Sequence, residues 1–365
     1  MRSSLRSLLL LGALTLGACQ AAPPKNAGFV GSERGNVVVL AVTPDTGRLK
    51  YAASNLDEAT LVELARLAPN VDFVVGASEA ELLEHAAEFH GADAHLLSEA
   101  FLARATNLVW AQSWSAGVER YLALDGVAGD ESLVLTNMKG AHGPVIAEHV
   151  MAMLLSLCRD LPAFQRAQER GEWDRGAGAG QRSLAGATLL VVGMGGIGTE
   201  VARRADAFDM RVFGTVRTPR AAPAFVDELG TDEDLERFLG EADVVVICLP
   251  LTSETRDSFG AETFAKMKDA AILVNIARGP IVDQAALLAA LESGKLAGAC
   301  LDVADPEPLP PGDPLWSRAD VLITPHVAAV AALTGARREQ LFVENVRRFG
   351  AGEPLRNVVD KAAGY

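Results

Sequence analysis

Thr188-Leu-Leu-Val-Val-Gly193-Met-Gly195-Gly-Ile-Gly198-Thr-Glu-Val-Ala202 is the stretch that decides the fold. A mostly apolar, strand-like run enters a Gly-x-Gly-x-x-Gly turn, and the turn opens into a helical segment. The glycines let backbone approach a pyrophosphate, while the helix N-terminus offers unpaired amides and a favourable dipole to its charge. Strand before and helix after are the context that distinguishes a dinucleotide site from an ordinary glycine-rich turn. Gly193, Gly195, Gly196, Ile197 and Gly198 are therefore candidate cofactor-binding residues.

Outward from this turn, apolar runs at 211–215, 243–248, 271–275, 297–302 and 321–324 read as strands with helices between them. The helix at 283–293 has Asp283 as its N-cap and Gly294 as its stop. Upstream, strands are expected at 36–42, 71–75 and 108–113, and helices at 56–67 and 79–89. Alternation of this kind implies parallel sheets with helices on both faces. The stretch 143–168 reads as one long apolar helix; Glu148-His149 within it argues against a membrane span. A further helix is expected at 333–349. The fold expected is α/β with two doubly wound parallel-sheet domains and the active site in the cleft between them.

Downstream of the fingerprint stand Arg278 in Asn275-Ile-Ala-Arg278-Gly279, Glu307 in Asp305-Pro-Glu307-Pro, and His326 in Thr324-Pro-His326. They are 29 residues (278 to 307) and 19 residues (307 to 326) apart. Arg278 follows a strand at its carboxyl end, where open α/β sheets bind ligands, and its planar fork suits a carboxylate or carbonyl. His326 is the candidate proton donor to a carbonyl oxygen. Glu307 would orient the imidazole and favour its charged form, with Asp305 as a weaker rival. Asp302, at a strand end, reads as a cofactor-side residue.

A ribose-reading acid belongs at the end of the strand after the fingerprint. The chain instead runs Gly214-Thr-Val-Arg217-Thr-Pro-Arg220, with no acid until Asp227. Arginine there suits a 2'-phosphate, so NADP(H) is favoured over NAD(H), with Arg217 as its reader. The alternative is that Arg217 and Arg220 are solvated charges on a variable loop.

The order and spacing of these motifs closely resemble the D-isomer-specific 2-hydroxyacid dehydrogenase family, over nearly all the chain from about Asn36. Gln112-Ser-Trp-Ser-Ala-Gly-Val-Glu-Arg looks most like the glyoxylate/hydroxypyruvate reductase branch. The resemblance implies a flavodoxin-like substrate domain, 34–137 plus 333–365, and a Rossmann NAD(P)-binding domain, 138–332. It implies that Arg278, Glu307 and His326 are catalytic, and that backbone amides at Ser115, Ala116 and Gly117 bind the substrate carboxylate. Pro250 and Ala277 join the cofactor-side set, and a homodimer is expected. The partner implied is a small 2-oxo or 2-hydroxy acid. Glu at 307 favours hydroxyacid chemistry over the related formate dehydrogenases, which carry Gln there. Two departures stand out. Glu119 replaces a common Asp and carries no weight in this reading, and Val327-Ala-Ala-Val330 lacks the usual Gly or Ser.

With 365 residues, 49% hydrophobic and 22% charged, the chain is of ordinary globular composition. A net charge of -14 argues against a nucleic-acid partner, which needs a basic face. Residues 1–33 read as a bacterial lipoprotein-type signal and tether, with a basic start, an apolar run at 8–16, and Leu16-Gly-Ala-Cys19 placing the lipid on Cys19. The expected location is then a membrane anchor facing the periplasm. If the segment is instead a mis-assigned start, the location is cytoplasmic. Cys158, Cys248 and Cys300 read as core thiols that fit a reducing compartment at least as well. His85, His90, His95, His142 and His149 have no metal spacing, and no metal is expected. A reading from a different class is a membrane-tethered, non-catalytic nucleotide-binding sensor, against which the set Arg278, Glu307 and His326 argues.

Overall fold

The structure, a computed structural model, describes residues 47–178 and 180–364. The signal segment, Cys19 and the strand expected at 36–42 lie outside the described residues.

Twelve strands are found among the described residues, all paired in parallel, in two sheets. In chain order the first five are β1 (Leu49–Ala53), β2 (Val71–Val75), β3 (Gly91–Asp93), β4 (Trp110–Gln112) and β5 (Val134–Thr136). They are arranged in the order β2-β1-β3-β4-β5, the flavodoxin-like order. The other seven are β6 (Thr188–Val192), β7 (Arg211–Thr215), β8 (Glu228–Gly230), β9 (Val244–Ile247), β10 (Ala271–Asn275), β11 (Leu296–Leu301) and β12 (Val321–Ile323). Their order, β12-β11-β10-β9-β6-β7-β8, reverses direction beside β6, and it is after β6 that the glycine turn comes. Strands β6, β9 and β10 are buried along their whole length, as parallel strands covered on both faces require.

The C-terminal helix, Ala332–Ala351, returns to the first sheet. Its Leu341, Phe342, Val346 and Phe349 pack with Leu49, Tyr51 and Trp110 in one core. Asn345, wholly buried, donates to the Gln112 side chain at the end of β4 (3.1 Å). The connecting helix, Gly143–Cys158, lies against the fingerprint helix, Gly196–Asp206, through Ile146, Val150, Leu154, Val201, Ala202 and Ala205.

Several elements differ from expectation. The helix expected across 143–168 is two, because Asp160 adopts a left-handed conformation (φ 53°) and Pro162 sits in the first turn of the next helix, Leu161–Glu169. Proline carries no amide to continue the preceding helix, but is tolerated at a helix start. The helix expected at 79–89 ends at Glu84 and is followed by a single 3-10 turn, Ala86–Glu88. Strand 108–113 shortens to Trp110–Gln112. Strands β1, β3, β5 and β8 were not expected; three of the four are three residues long, too short to show a period. Among the described residues, no helix is long and apolar enough to cross a membrane.

Candidate active site

Because every strand is parallel, the carboxyl ends of each sheet fall on one edge, and the candidate residues collect there. Gly193 follows β6, Arg278 follows β10, Asp302 follows β11, and Thr324 to His326 follow β12. In the first sheet, Ser115 to Gly117 follow β4.

The glycine turn has the shape a pyrophosphate needs. Gly193 is left-handed (φ +99°), and a Cβ there would meet the Cys248 carbonyl oxygen at 2.9 Å. A Cβ on Gly198 would lie 2.3 Å from the Gly193 oxygen, so the helix packs against its own turn. Gly195 and Gly196 are exposed, and a Cβ on Gly195 would meet nothing within 4 Å. Tight backbone behind and open space in front fit a dinucleotide. The Gly193 amide donates to the Thr215 hydroxyl (3.1 Å) and the Met194 amide to the Thr215 carbonyl (2.8 Å), holding the turn to the end of β7. The first acid after that strand, Asp227, accepts from the Val212 amide (2.7 Å) and is thus tied back to the strand. Arg220 reaches the turn, donating to the Met194 carbonyl (2.5 Å). Arg217 lies on the same connection, two residues past β7.

Arg278 is fixed by its own motif. Asn275, buried, donates to the Arg278 carbonyl (3.0 Å) and accepts from the Ala277 amide (3.0 Å), closing a tight turn. Ala277 belongs to that turn, and its carbonyl accepts from Arg278 Nη1 (2.7 Å). A Cβ on Gly279 would fall 1.8 Å from the Ala304 oxygen, so the Ala304–Asp305 backbone packs directly on this glycine. Nε of Arg278 donates to Glu119 Oε1 of the other sheet's loops (3.1 Å). Glu119 was given no weight from sequence; it is the carboxylate that Arg278 meets. The guanidinium lies so near the Ser115 to Gly117 loop that a Cβ on Gly117 would be 1.8 Å from Nη2.

His326 adopts a left-handed backbone (φ 55°), and its Nδ1 lies 2.9 Å from Glu307 Oε2. The other Glu307 oxygen accepts from the Ala304 amide (3.2 Å). Asp305 has no such contact with the imidazole; its amide donates to Gln284 (3.4 Å). Asp302, expected on the cofactor side, is bonded to the loop that carries His326. It is 2% exposed; Oδ1 accepts from the Thr324 hydroxyl (2.6 Å) and the Val327 amide (2.9 Å), and Oδ2 from the Ala328 amide (3.0 Å). Its carbonyl accepts from the His326 amide (2.8 Å). A loop that turns this sharply needs acceptors for its buried amides, and Asp302 supplies them.

His149 enters this network without having been singled out by the sequence. The Thr324 hydroxyl spends its one hydrogen on Asp302, so Nε2 of His149, 2.9 Å away, donates to Thr324. The Ser115 to Gly117 loop is braced too. The Ser115 carbonyl accepts from the Met138 amide (3.0 Å), and the Ala116 carbonyl from Asn137 (3.0 Å). Trp114 donates to buried Asp93 (2.9 Å). Pro250 accepts from the Thr255 hydroxyl (2.7 Å) at the end of β9. Cys158 and Cys300 are buried and Cys248 partly so. Burial pushes the Cys248 thiol up to about 12, so it is no nucleophile. Among the described residues, no cluster of His, Cys, Asp or Glu could hold a metal ion.

Residues 151–328 match the family described as D-isomer specific 2-hydroxyacid dehydrogenase, NAD binding domain. A glyoxylate reductase of Korarchaeum cryptofilum is 38% identical over 241 residues, covering 64% of this chain and 71% of that protein. A D-isomer specific 2-hydroxyacid dehydrogenase from Xanthobacter autotrophicus Py2, solved with NADPH and MES, superposes with a TM-score of 0.73 at 35% identity. That match covers 87% of this chain and 99% of the other. The chain belongs to the D-isomer-specific 2-hydroxyacid dehydrogenases.

Within this family of NAD(P)-dependent oxidoreductases the chain resembles more than one branch. The NADPH-dependent glyoxylate/hydroxypyruvate reductase of Sinorhizobium meliloti, solved with NADP and sulfate, has a TM-score of 0.72 at 30% identity. It is covered over 100% of its length by 87% of this chain. The D-3-phosphoglycerate dehydrogenase of Archaeoglobus fulgidus is 36% identical over 234 residues, 64% of this chain. Those residues span only 44% of that longer protein.

Proposed function

We propose that this dehydrogenase reduces a small 2-oxo acid of the glyoxylate or hydroxypyruvate kind to the D-2-hydroxy acid, with NADP(H) preferred to NAD(H). The observation that carries the reading is the His326–Glu307 pair, 2.9 Å apart, on the same sheet edge as Arg278 and the glycine turn.

The substrate carboxylate is held by the Ser115 to Gly117 amides and the Arg278 fork, which orients the 2-carbonyl. With Nδ1 engaged by Glu307, Nε2 of His326 is the nitrogen that gives a proton to the carbonyl oxygen. The nicotinamide, when bound, supplies the hydride to carbon 2. The half-exposed imidazole recovers its proton from solvent, its side chain being 51% accessible. Three features support the phosphate-bearing cofactor: Arg217 and Arg220 after β7, the tying back of Asp227, and the NADPH and NADP held by the Xanthobacter and Sinorhizobium proteins.

The test is oxidation of NADPH and NADH, separately, against glyoxylate, hydroxypyruvate, pyruvate and longer 2-oxo acids. Turnover faster with NADPH and lost in His326→Ala is the expected result. Nucleotide binding without turnover of any acid would overturn the reading in favour of a non-catalytic nucleotide-binding protein. The homodimer and the Cys19 lipid tether expected from sequence belong to the same proposal, read by sedimentation and by the mass of the membrane-extracted protein.

A further inference from the structure

The C-terminal helix brings polar groups to the cleft that no step above uses. Asn345 on this helix bonds Gln112 at the very end of β4. One turn nearer its N-terminus, Phe342 packs on Trp114, ring centroids 4.9 Å apart, just past that strand end. One turn further, the Arg338 guanidinium carbon lies 5.7 Å from the centre of the Trp114 ring. One more turn gives Thr334. Residues four apart share a helix face, and each such step advances about 6 Å. Phe342, Arg338 and Thr334 therefore share one face of the helix, and Arg338 stands over Trp114, where the Ser115 to Gly117 loop starts.

Neither polar residue on this face has a hydrogen-bond partner among the described residues. Among the described residues, Arg338 makes no hydrogen bond or ion pair, and burial lowers its pKa. Its acidic neighbour Glu339 is engaged elsewhere, accepting from the Thr60 hydroxyl (2.7 Å). Thr334, 2% exposed, has a buried hydroxyl with no partner, the one such side-chain atom among the described residues. It lies in the first turn of a 20-residue helix, where backbone amides are left over and the dipole favours an anion. His142 is buried, and its pKa is lowered by that burial and by the charge of Arg338. A half-buried guanidinium, an orphaned hydroxyl and a helix N-terminus without a counter-charge are the parts of an anion site.

We propose that Thr334, Arg338 and the N-terminal turn of this helix bind a second anionic group on the substrate, making the preferred acid a 2-oxo acid with a carboxylate or phosphate on its tail. Arg278 and the loop amides serve the 2-oxo acid head; Arg338 serves the tail and sets specificity. The inference rests on the 2-oxo acid reading above and adds a charged tail to the substrate named there.

The test compares 2-oxoglutarate with its uncharged counterpart 2-oxopentanoate, and 3-phosphohydroxypyruvate with hydroxypyruvate, on the full-length enzyme with saturating NADPH. The dianionic member of at least one pair should have the higher kcat/KM by about 10- to 100-fold, mainly through KM. Which pair responds separates a carboxylate tail from a phosphate tail. Arg338→Met should collapse that ratio towards one, Arg338→Lys should restore part of it, and Thr334→Val should lower it several-fold. Equal kcat/KM within both pairs overturns the inference and leaves the reductase standing, as does an Arg338→Met loss equal for charged and uncharged acids. Turnover of none of the four acids overturns this inference, and if glyoxylate and pyruvate also fail it overturns the reductase reading with it.

Discussion

Gly117 carries a sharp prediction because its missing side chain is where Arg278 sits. A Cβ there would lie 1.8 Å from Nη2 of Arg278 and 2.6 Å from Oε2 of Glu119. Non-bonded heavy atoms settle at roughly 3.5 Å, so Gly117→Ala must displace the guanidinium by about 1.7 Å. A misplacement of about 1 Å in a reacting constellation costs about 100-fold, so kcat/KM for a 2-oxo acid should fall at least ~100-fold, or about 2.7 kcal/mol. Stability should change little, because the displaced group is the far end of a side chain that is 30% exposed. The assay is steady-state reduction by Gly117→Ala, by Arg278→Ala and by the double variant, with thermal unfolding of each. If the alanine acts through Arg278, the double variant is no worse than Arg278→Ala alone. A loss below about fivefold, or two losses that simply multiply, would refute the reasoning.

Asn275→Ala removes the clamp on the Arg278 turn and orphans the buried Ala277 amide, so it should lower unfolding free energy by about 1–3 kcal/mol as well as activity, measured by urea unfolding and kinetics. Asp302→Ala should cost stability and kcat together, since two backbone amides of the His326 loop lose their acceptor, whereas Glu307→Gln should lower kcat by at least ~10-fold with little change in melting temperature. His142 has its pKa lowered by burial first and by Arg338 second, so the folded protein holds it neutral. The stability it confers is complete above the unfolded pKa of about 6.5 and is lost as pH falls towards the folded value. Denaturant unfolding at pH 7, 6 and 5 should show a steeper decline for the wild type than for His142→Gln, and parallel curves would contradict this.

The sequence disclosed what is local. A glycine turn between strand and helix is a continuous pattern, and Arg278, Glu307 and His326 could be found because each stands in a short motif. Hidden from it were groups whose role depends on which loops meet. Glu119 and Arg278 are 159 residues apart and join loops of different sheets, so no spacing announces them. Asp302 was placed on the correct strand end, but its bonds to the amides of the neighbouring loop were not foreseen, because they are decided by packing. His149 looked like one polar residue in an apolar helix until β12 brought Thr324 within 2.9 Å. Thr334 and Arg338 drew no notice because an arginine on an amphipathic helix is ordinarily solvated; the absence of a partner is visible only once neighbours are placed.

The return of the C-terminal helix to the first sheet also sets an order of events during synthesis. Trp110 is wholly buried, and among the rings that cover it are Phe342 and Phe349, which emerge from the ribosome more than two hundred residues later. At roughly 5–20 residues per second, the 233 residues from Gln112 to Asn345 take about 10–50 s to make. Throughout that interval one face of the early sheet has no native cover, while the seven-stranded sheet, contiguous in sequence, can complete its own core. The nascent chain therefore completes its seven-stranded half before its five-stranded half, although the latter is translated first. Its period of greatest exposure to aggregation or chaperone capture is the wait for its last helix.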